Sequence, residues 1–186
     1  MKTGGCARLS LRPETGTWFR ALNLRYWKTR LNTDQSKASR SRFSNASASS
    51  PLYRILYLGE NHQVAIYEVG ALLGNPNAPL SSPKGSWVLL SLQVTLYHVA
   101  DLSDSSQQKL ISTNDQEMTG VWANSSGAAP TQQLGAALHA VPLLEGFLFP
   151  SSKVGSRNLA IFPDKLDVRS SIIFLNELDM KTERFT

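Results

Sequence analysis

The longest strand pattern in the chain, Trp87 to Ala100, commits the fold to a sheet. So long a run needs neighbours for its backbone N–H and C=O groups and cover for its apolar side chains. Further strands are predicted at Thr17–Leu22, Leu52–Leu58, Gly146–Phe149, Asn158–Phe162 and Ile172–Leu175. In the second of these Tyr53, Ile55 and Tyr57 alternate with Leu52, Arg54, Leu56 and Leu58, so each set occupies its own face. Gly59-Glu60-Asn61 turns that strand into a helix from His62 to Leu73, which Gly74-Asn75-Pro76 stops. Ser105-Ser106-Gln107-Gln108 fits a capping box that opens a short helix. Thr131–Val141 reads as another helix, with Leu134, Ala137, Leu138 and Val141 on one side. Strands with interspersed helices, and no repeat, give an α+β fold with a mixed sheet.

The 186 residues, 41% hydrophobic and 18% charged, suit one globular domain able to bury a core without staples. It is expected over residues 17–176, between an irregular leader (1–16) and a tail (177–186); a Ser/Ala-rich loop spans 33–51 and a Pro/Ser/Gly stretch 75–86. Cys6 stands alone, which excludes an internal disulfide framework and a Cys-rich metal site. No apolar run approaches a membrane span, and Met1–Arg12 carries no apolar signal core, so a cytoplasmic protein is expected.

Charge is unevenly placed. Residues 1–50 carry ten basic side chains against Glu14 and Asp34, whereas the remainder carries nine against twelve acidic ones. A basic front half fits an anionic partner, or a solvated loop-rich leader. Arg20, after Trp18-Phe19, and Arg42, before Phe43, stand beside strand-forming bulk and are better placed to be fixed than Arg40 in its serine-rich surroundings. No signature of an RNA-recognition or KH module is present.

Several chemistries are missing from the pattern. No two of the twelve glycines are two positions apart, so there is no dinucleotide-binding fingerprint, and the P-loop and nucleophile-elbow patterns are missing too. His62, His98 and His139 lie 36 and 41 residues apart and show no local metal spacing, so no metal site is expected. Glu68 is the informative residue. At about 100° per residue it falls about 40° from Val64, between Val64 and Leu72 on an apolar face. A carboxylate there is either paired at the rim with Arg20 or Arg54, or held in a cleft to act on a ligand. Tyr57, at the end of the strand feeding this helix, can stack on a ligand ring and bond through its hydroxyl, or serve as core like Ile55.

Taken in order, these residues resemble the RES domain family, named for its arginine, glutamate and serine. Trp18-Phe19-Arg20-Ala21 is similar to the opening aromatic–Arg strand. Ser41-Arg42-Phe43-Ser44 resembles the Gly-Arg-Phe/Trp-Asn element, with serine in place of glycine. Leu56-Tyr57-Leu58-Gly59-Glu60, running on to Ala65-Ile66-Tyr67-Glu68-Val69, is similar to the Tyr-Leu to Ala-x-x-Glu segment. Val94–Asp104 resembles the central strand with its Asp-Leu-Ser end, Thr131-Gln132-Gln133-Leu134-Gly135 the helix start before the serine, and Phe149-Pro150-Ser151-Ser152 with Arg157-Asn158-Leu159 the Pro-Ser and Asn-Leu elements. The resemblance covers roughly residues 17–166, and alignment on Pro150 favours Ser151 over Ser152.

The resemblance implies a compact fold similar to ADP-ribosyltransferase toxins. It implies an NAD+ glycohydrolase or phosphorylase that cleaves the nicotinamide–ribose bond, with NAD+ as substrate and no cofactor. It also implies a toxin of a bacterial toxin–antitoxin pair, covered by a helix-turn-helix antitoxin that alone touches nucleic acid. Glu68, Arg20 and Ser151 become the catalytic candidates; Arg20, Arg42, Tyr57, Ser151 and Asn158 become the candidates for holding the dinucleotide. The chemistry is coherent: arginines grip pyrophosphate, and a carboxylate stabilises positive charge growing on the ribose. Two rival readings are transfer of ADP-ribose to a macromolecule and a non-enzymatic RNA- or protein-binding domain.

Overall fold

In the computed structural model, residues 3–45, 52–72, 86–123, 127–152, 155–176 and 181–185 are described. Seven strands are β1 (Leu11–Asn23), β2 (Leu56–Gly59), β3 (Trp87–Asp101), β4 (Gly146–Pro150), β5 (Arg157–Ile161), β6 (Ser171–Asn176) and β7 (Lys181–Arg184). Four helices are α1 (His62–Leu72), α2 (Ser105–Leu110), α3 (Asp115–Thr119) and α4 (Pro130–His139). The sheet order is β1-β2-β5-β4-β3-β6-β7, and β1 pairs with β3 as well. The pairings therefore close a circuit through β1, β2, β5, β4 and β3, with β6 and β7 continuing from β3. Only β3–β4 is parallel among them, so the α+β fold with a mixed sheet is as expected.

Two cores follow from the strand alternation. Inside the circuit lie Trp18, Leu22, Leu56, Leu58, Leu92, Leu148, Leu159 and Ile161. On the other side Phe43, Tyr53, Ile55, Phe147, Phe149 and Ala160 pack against Leu134 and Leu138 of α4 and against Cys6 and Leu9. The predicted alternation before α1 thus sends Tyr53 and Ile55 to one core and Leu56 and Leu58 to the other. Each fully buried large side chain contributes ~1.5–3 kcal/mol relative to exposure.

The structure departs from the sequence reading at both ends. The leader is not irregular: Thr3–Arg8 is a short 3-10 helix, and β1 begins at Leu11, well before the expected Thr17. Gly4-Gly5 and Arg12-Pro13 argue for irregular chain, but the register against β3 shifts between Arg12 and Glu14, a bulge that spares Pro13 a ladder bond. In the tail, β7 adds an antiparallel edge to β6, and Phe185 is buried. Conversely, the strand expected from Leu52 starts at Leu56, because Leu52 is exposed and Tyr53 and Ile55 enter the core as irregular chain. The first short helix is capped by Asp104, whose side chain accepts from Ser106 N, and not by a box at Ser105. Gln108 turns instead to the Leu102 carbonyl and Asp115. Part of the Ser/Ala-rich loop, the predicted end of the His62 helix at Leu73 and nearly all of the Pro/Ser/Gly stretch lie outside the described residues.

Candidate active site

A turn at Ser41–Ser44, the ends of β2, β4 and β5, and the middle of α1 converge on one side of the circuit. The turn closes through Ser41 N donating to the Ser44 carbonyl at 2.8 Å. Gln132 of α4, itself buried, donates through Nε2 to the Ser41 and Ser44 carbonyls at 2.9 and 3.2 Å. The Tyr53 hydroxyl donates to the Phe43 carbonyl. Gly135 permits this approach: a Cβ there would lie 1.9 Å from the Phe43 carbonyl oxygen. Phe43 is enclosed by Phe147 and Phe149 at ring distances of 4.9 and 4.8 Å. The segment bearing Arg42 is thereby fixed although it has almost no regular structure.

Arg42 uses Nη1 to reach the Met118 and Gly120 carbonyls at 2.8 and 2.7 Å. Burial pulls its pKa down, while the charge of Glu68 and the Tyr57 phenol oppose that effect. The Tyr57 hydroxyl lies 2.9 Å from Ser41 Oγ and accepts from Phe43 N at 3.1 Å. Burial pushes the phenol up to about 12, against the bonds from Ser41 and Phe43.

Glu68 enters from α1. Asn61 caps this helix by accepting from Val64 N at 2.9 Å. Gly59 allows α1 to lie against β2, since a Cβ there would stand 2.6 Å from Ala65 N. Val64 and Ala65 are buried and Glu68 is half-buried. Its Oε1 accepts from Ser151 Oγ at 3.0 Å and from Asn158 Nδ2 at 2.9 Å. Its partners are therefore neutral donors after β4 and on β5, not Arg20 or Arg54, and Oε2 has no donor among the described residues. Ser151 and Asn158 are 7% and 3% exposed. A two-pronged ion pair holds β5 in place: Arg157 Nε and Nη2 donate to Glu60 Oε1 at 3.0 and 2.6 Å, and Arg157 N donates to Oε2 at 2.9 Å.

The structure thus brings together Arg42, Tyr57, Glu68, Ser151 and Asn158, and sets Arg20 apart. Arg20 alternates with Trp18 and Leu22, so it shares their face of β1, whereas Tyr57 packs against the other core. Its Nη1 donates to the Arg30 carbonyl at 2.8 Å, and burial lowers its pKa to about 10. It borders a cavity of about 500 Å³ to which α1 contributes Val69, the residue after Glu68. Sequence reasoning missed Ser41, Gln132 and the Glu60–Arg157 clamp; for Ser41 the signal was its position in the quoted Ser-Arg-Phe-Ser element. Among the described residues no group of three His, Cys, Asp or Glu side chains could hold a metal ion, and no helix is long and apolar enough to cross a membrane.

One oxygen of the Glu68 carboxylate is thus bound by two neutral donors while the other meets no donor among the described residues, and the half-buried Arg42 and the hydrogen-bonded Tyr57 phenol complete the cluster. The model of the RES domain family matches residues 17–183, and the chain belongs to that family. Among solved structures it resembles one described as the crystal structure of the M. tuberculosis MbcT–MbcA toxin–antitoxin complex. That chain aligns with a TM-score of 0.71 at 13% identity, covering 99% of this chain and 91% of the other. No curated protein matches the chain significantly.

Proposed function

We propose that this chain degrades NAD+ by breaking the bond between nicotinamide and ribose. The observation that carries the reading is the one-sided bonding of Glu68. With Ser151 and Asn158 both on Oε1, the carboxylate is oriented without being neutralised, and Oε2 faces the ligand with its charge available. As the C–N bond lengthens the ribose gains positive charge, which a fixed carboxylate stabilises more in the transition state than in the ground state. Nicotinamide is a good leaving group, so the step does not depend on a strong general acid. Arg42, whose Nε and Nη2 meet no acceptor among the described residues, turns them toward a phosphate, Tyr57 offers a ring against the nicotinamide or sugar, and Arg20 meets the pyrophosphate from the adjoining cavity. Asn158, expected to touch the ligand, acts chiefly by orienting Glu68.

Family membership and the toxin–antitoxin neighbour support a further part of the reading: the chain is a cytoplasmic toxin, and a helix-turn-helix antitoxin neutralises it by covering this cleft. A kinship with ADP-ribosyltransferase toxins belongs to the same proposal. The test is nicotinamide release from NAD+ by the purified chain in the presence of a chelator. Free nicotinamide with ADP-ribose, or with its 1-phosphate when phosphate is supplied, is the expected result. Labelled protein in place of free ADP-ribose would mean transfer to a macromolecule, and no nicotinamide at all would mean a binding domain.

A further inference from the structure

The cavity beside Arg20 is larger than a phosphate contact requires, and its lining is chemically mixed. Arg20 lines it as a half-buried cation: among the described residues one carbonyl meets it and no carboxylate does. A half-buried charge without a carboxylate partner is stabilised by an anion that enters. Arg30, by contrast, has a carboxylate partner, with Nη2 on Glu183 and the guanidinium 4.4 Å from the Trp27 ring centre, although its buried Nε meets no partner among the described residues. The cavity lining includes two large aromatic side chains left partly in solvent, Trp87 at 36% and Tyr26 at 40% exposure. The Arg25 guanidinium lies 4.5 Å from the Tyr26 ring centre and pairs with no carboxylate among the described residues. Asn32 and Gln35 add amides to the wall. Aromatic surfaces, amides and unpaired cations in one concavity match a flat, hydrogen-bonding ring joined to phosphate.

We propose that this cavity binds the adenosine diphosphate half of the dinucleotide, with the purine against Trp87 and Tyr26 and the phosphates on Arg20 and Arg25. The inference rests on the NAD+ reading and deepens it: α1 lies between the two halves of the substrate, presenting Glu68 to one and Val69 to the other. The chain is then selective for whole dinucleotides over nicotinamide mononucleotide, which has no group to fill the cavity.

The test is calorimetric binding of ADP to the full chain and to Trp87→Ala, Trp87→Phe and Tyr26→Ala, alongside nicotinamide release from NAD+ and from nicotinamide mononucleotide. Loss of one stacking surface should weaken ADP binding about tenfold, and Trp87→Phe should restore most of it. NAD+ should exceed the mononucleotide in kcat/KM by about tenfold or more. Tyr26→Ala, on an exposed ring, keeps the test open if Trp87→Ala fails to fold. ADP binding that fails, or that none of the three changes moves, overturns the inference even where nicotinamide is released. ADP binding that responds as expected while no nicotinamide appears from either substrate leaves the cavity assigned and removes the catalytic reading instead.

Discussion

Glu145 and Glu68 are both carboxylates withdrawn from solvent, and they are held in opposite ways. Glu145 is 0% exposed, and both its oxygens are taken by backbone: Oε2 accepts from Tyr97 N and His98 N at 2.7 and 2.8 Å, and Oε1 from Asp167 N at 2.8 Å. It ties the start of β4 to β3 and to the chain before β6. Glu68 is half-buried and bonded by two side chains on a single oxygen, and its other oxygen meets no donor among the described residues. Burial alone does not mark a functional acid. What separates the two is whether backbone donors occupy both carboxylate oxygens.

The largest effect that sharpens this contrast is on stability. Glu145→Gln replaces one acceptor by an NH2 group that must face the Asp167 N–H, or else the N–H groups of Tyr97 and His98. The loss of charge-assisted bonds and the clash of donors should cost about 3 kcal/mol, read as a lower urea midpoint with an unchanged m-value. A midpoint within experimental scatter of the parent would mean that the junction is not held as described.

Arg42→Lys comes next. Lysine keeps the charge but cannot span the Met118 and Gly120 carbonyls while offering a second edge to phosphate, so KM for NAD+ should rise by roughly ten- to a hundredfold, ~1.5–3 kcal/mol. Lys28→Ala, at an exposed position, is the control. Equal and salt-sensitive effects in both would show that the basic front half merely attracts anions.

Asn158→Ala should be milder and fall on kcat. Removing one of the two donors to Oε1 loosens Glu68 without removing it, so about a tenfold fall in kcat with KM nearly unchanged is expected. A change confined to KM would place Asn158 on the ligand instead.

Tyr57→Phe should have the smallest effect. Because burial raises the phenol from 10 to about 12, the folded state favours its neutral form. The stabilisation from that neutral phenol is intact below pH 10 and declines as pH rises through about 12. The phenol is therefore neutral throughout the working range, and Tyr57→Phe should leave the shape of the pH–rate profile unaltered while stability falls by about 1 kcal/mol through loss of the Ser41 and Phe43 bonds. A limb of the profile that vanishes in Tyr57→Phe would mean the phenol ionises during turnover.

How far the sequence reveals all this depends on whether the cause is local. The alternation of Tyr53 to Leu58 and the Gly-Glu-Asn turn before His62 are written in neighbouring residues, and both appear in the structure. The misplaced carboxylate was visible for the same reason: helix geometry puts Glu68 beside Val64 from their spacing alone. Glu145 was invisible, because its partners are backbone groups 47 and 48 residues upstream and 22 residues downstream. The start of β1 is hidden because Arg12-Pro13 argues for irregular chain, whereas thirteen residues are held as strand by long-range pairing with β3. Arg20 shows the same limit from the other side. Its neighbours indicate that it is fixed, but which core it faces depends on how the strands close.

The central claim is that Glu68 serves chemistry where Glu145 serves the fold, and Glu68→Gln tests it most directly. The variant keeps the size of the side chain and one acceptor oxygen for Ser151 and Asn158 while removing the charge. The measurement is kcat for nicotinamide release, taken on the same preparation as a urea unfolding curve. A fall on the order of 10²-fold or more in kcat, with the unfolding midpoint close to the parent's, is the predicted result. A rate within a few-fold of the parent, or a protein that no longer folds, would make Glu68 a second structural carboxylate and contradict the assignment.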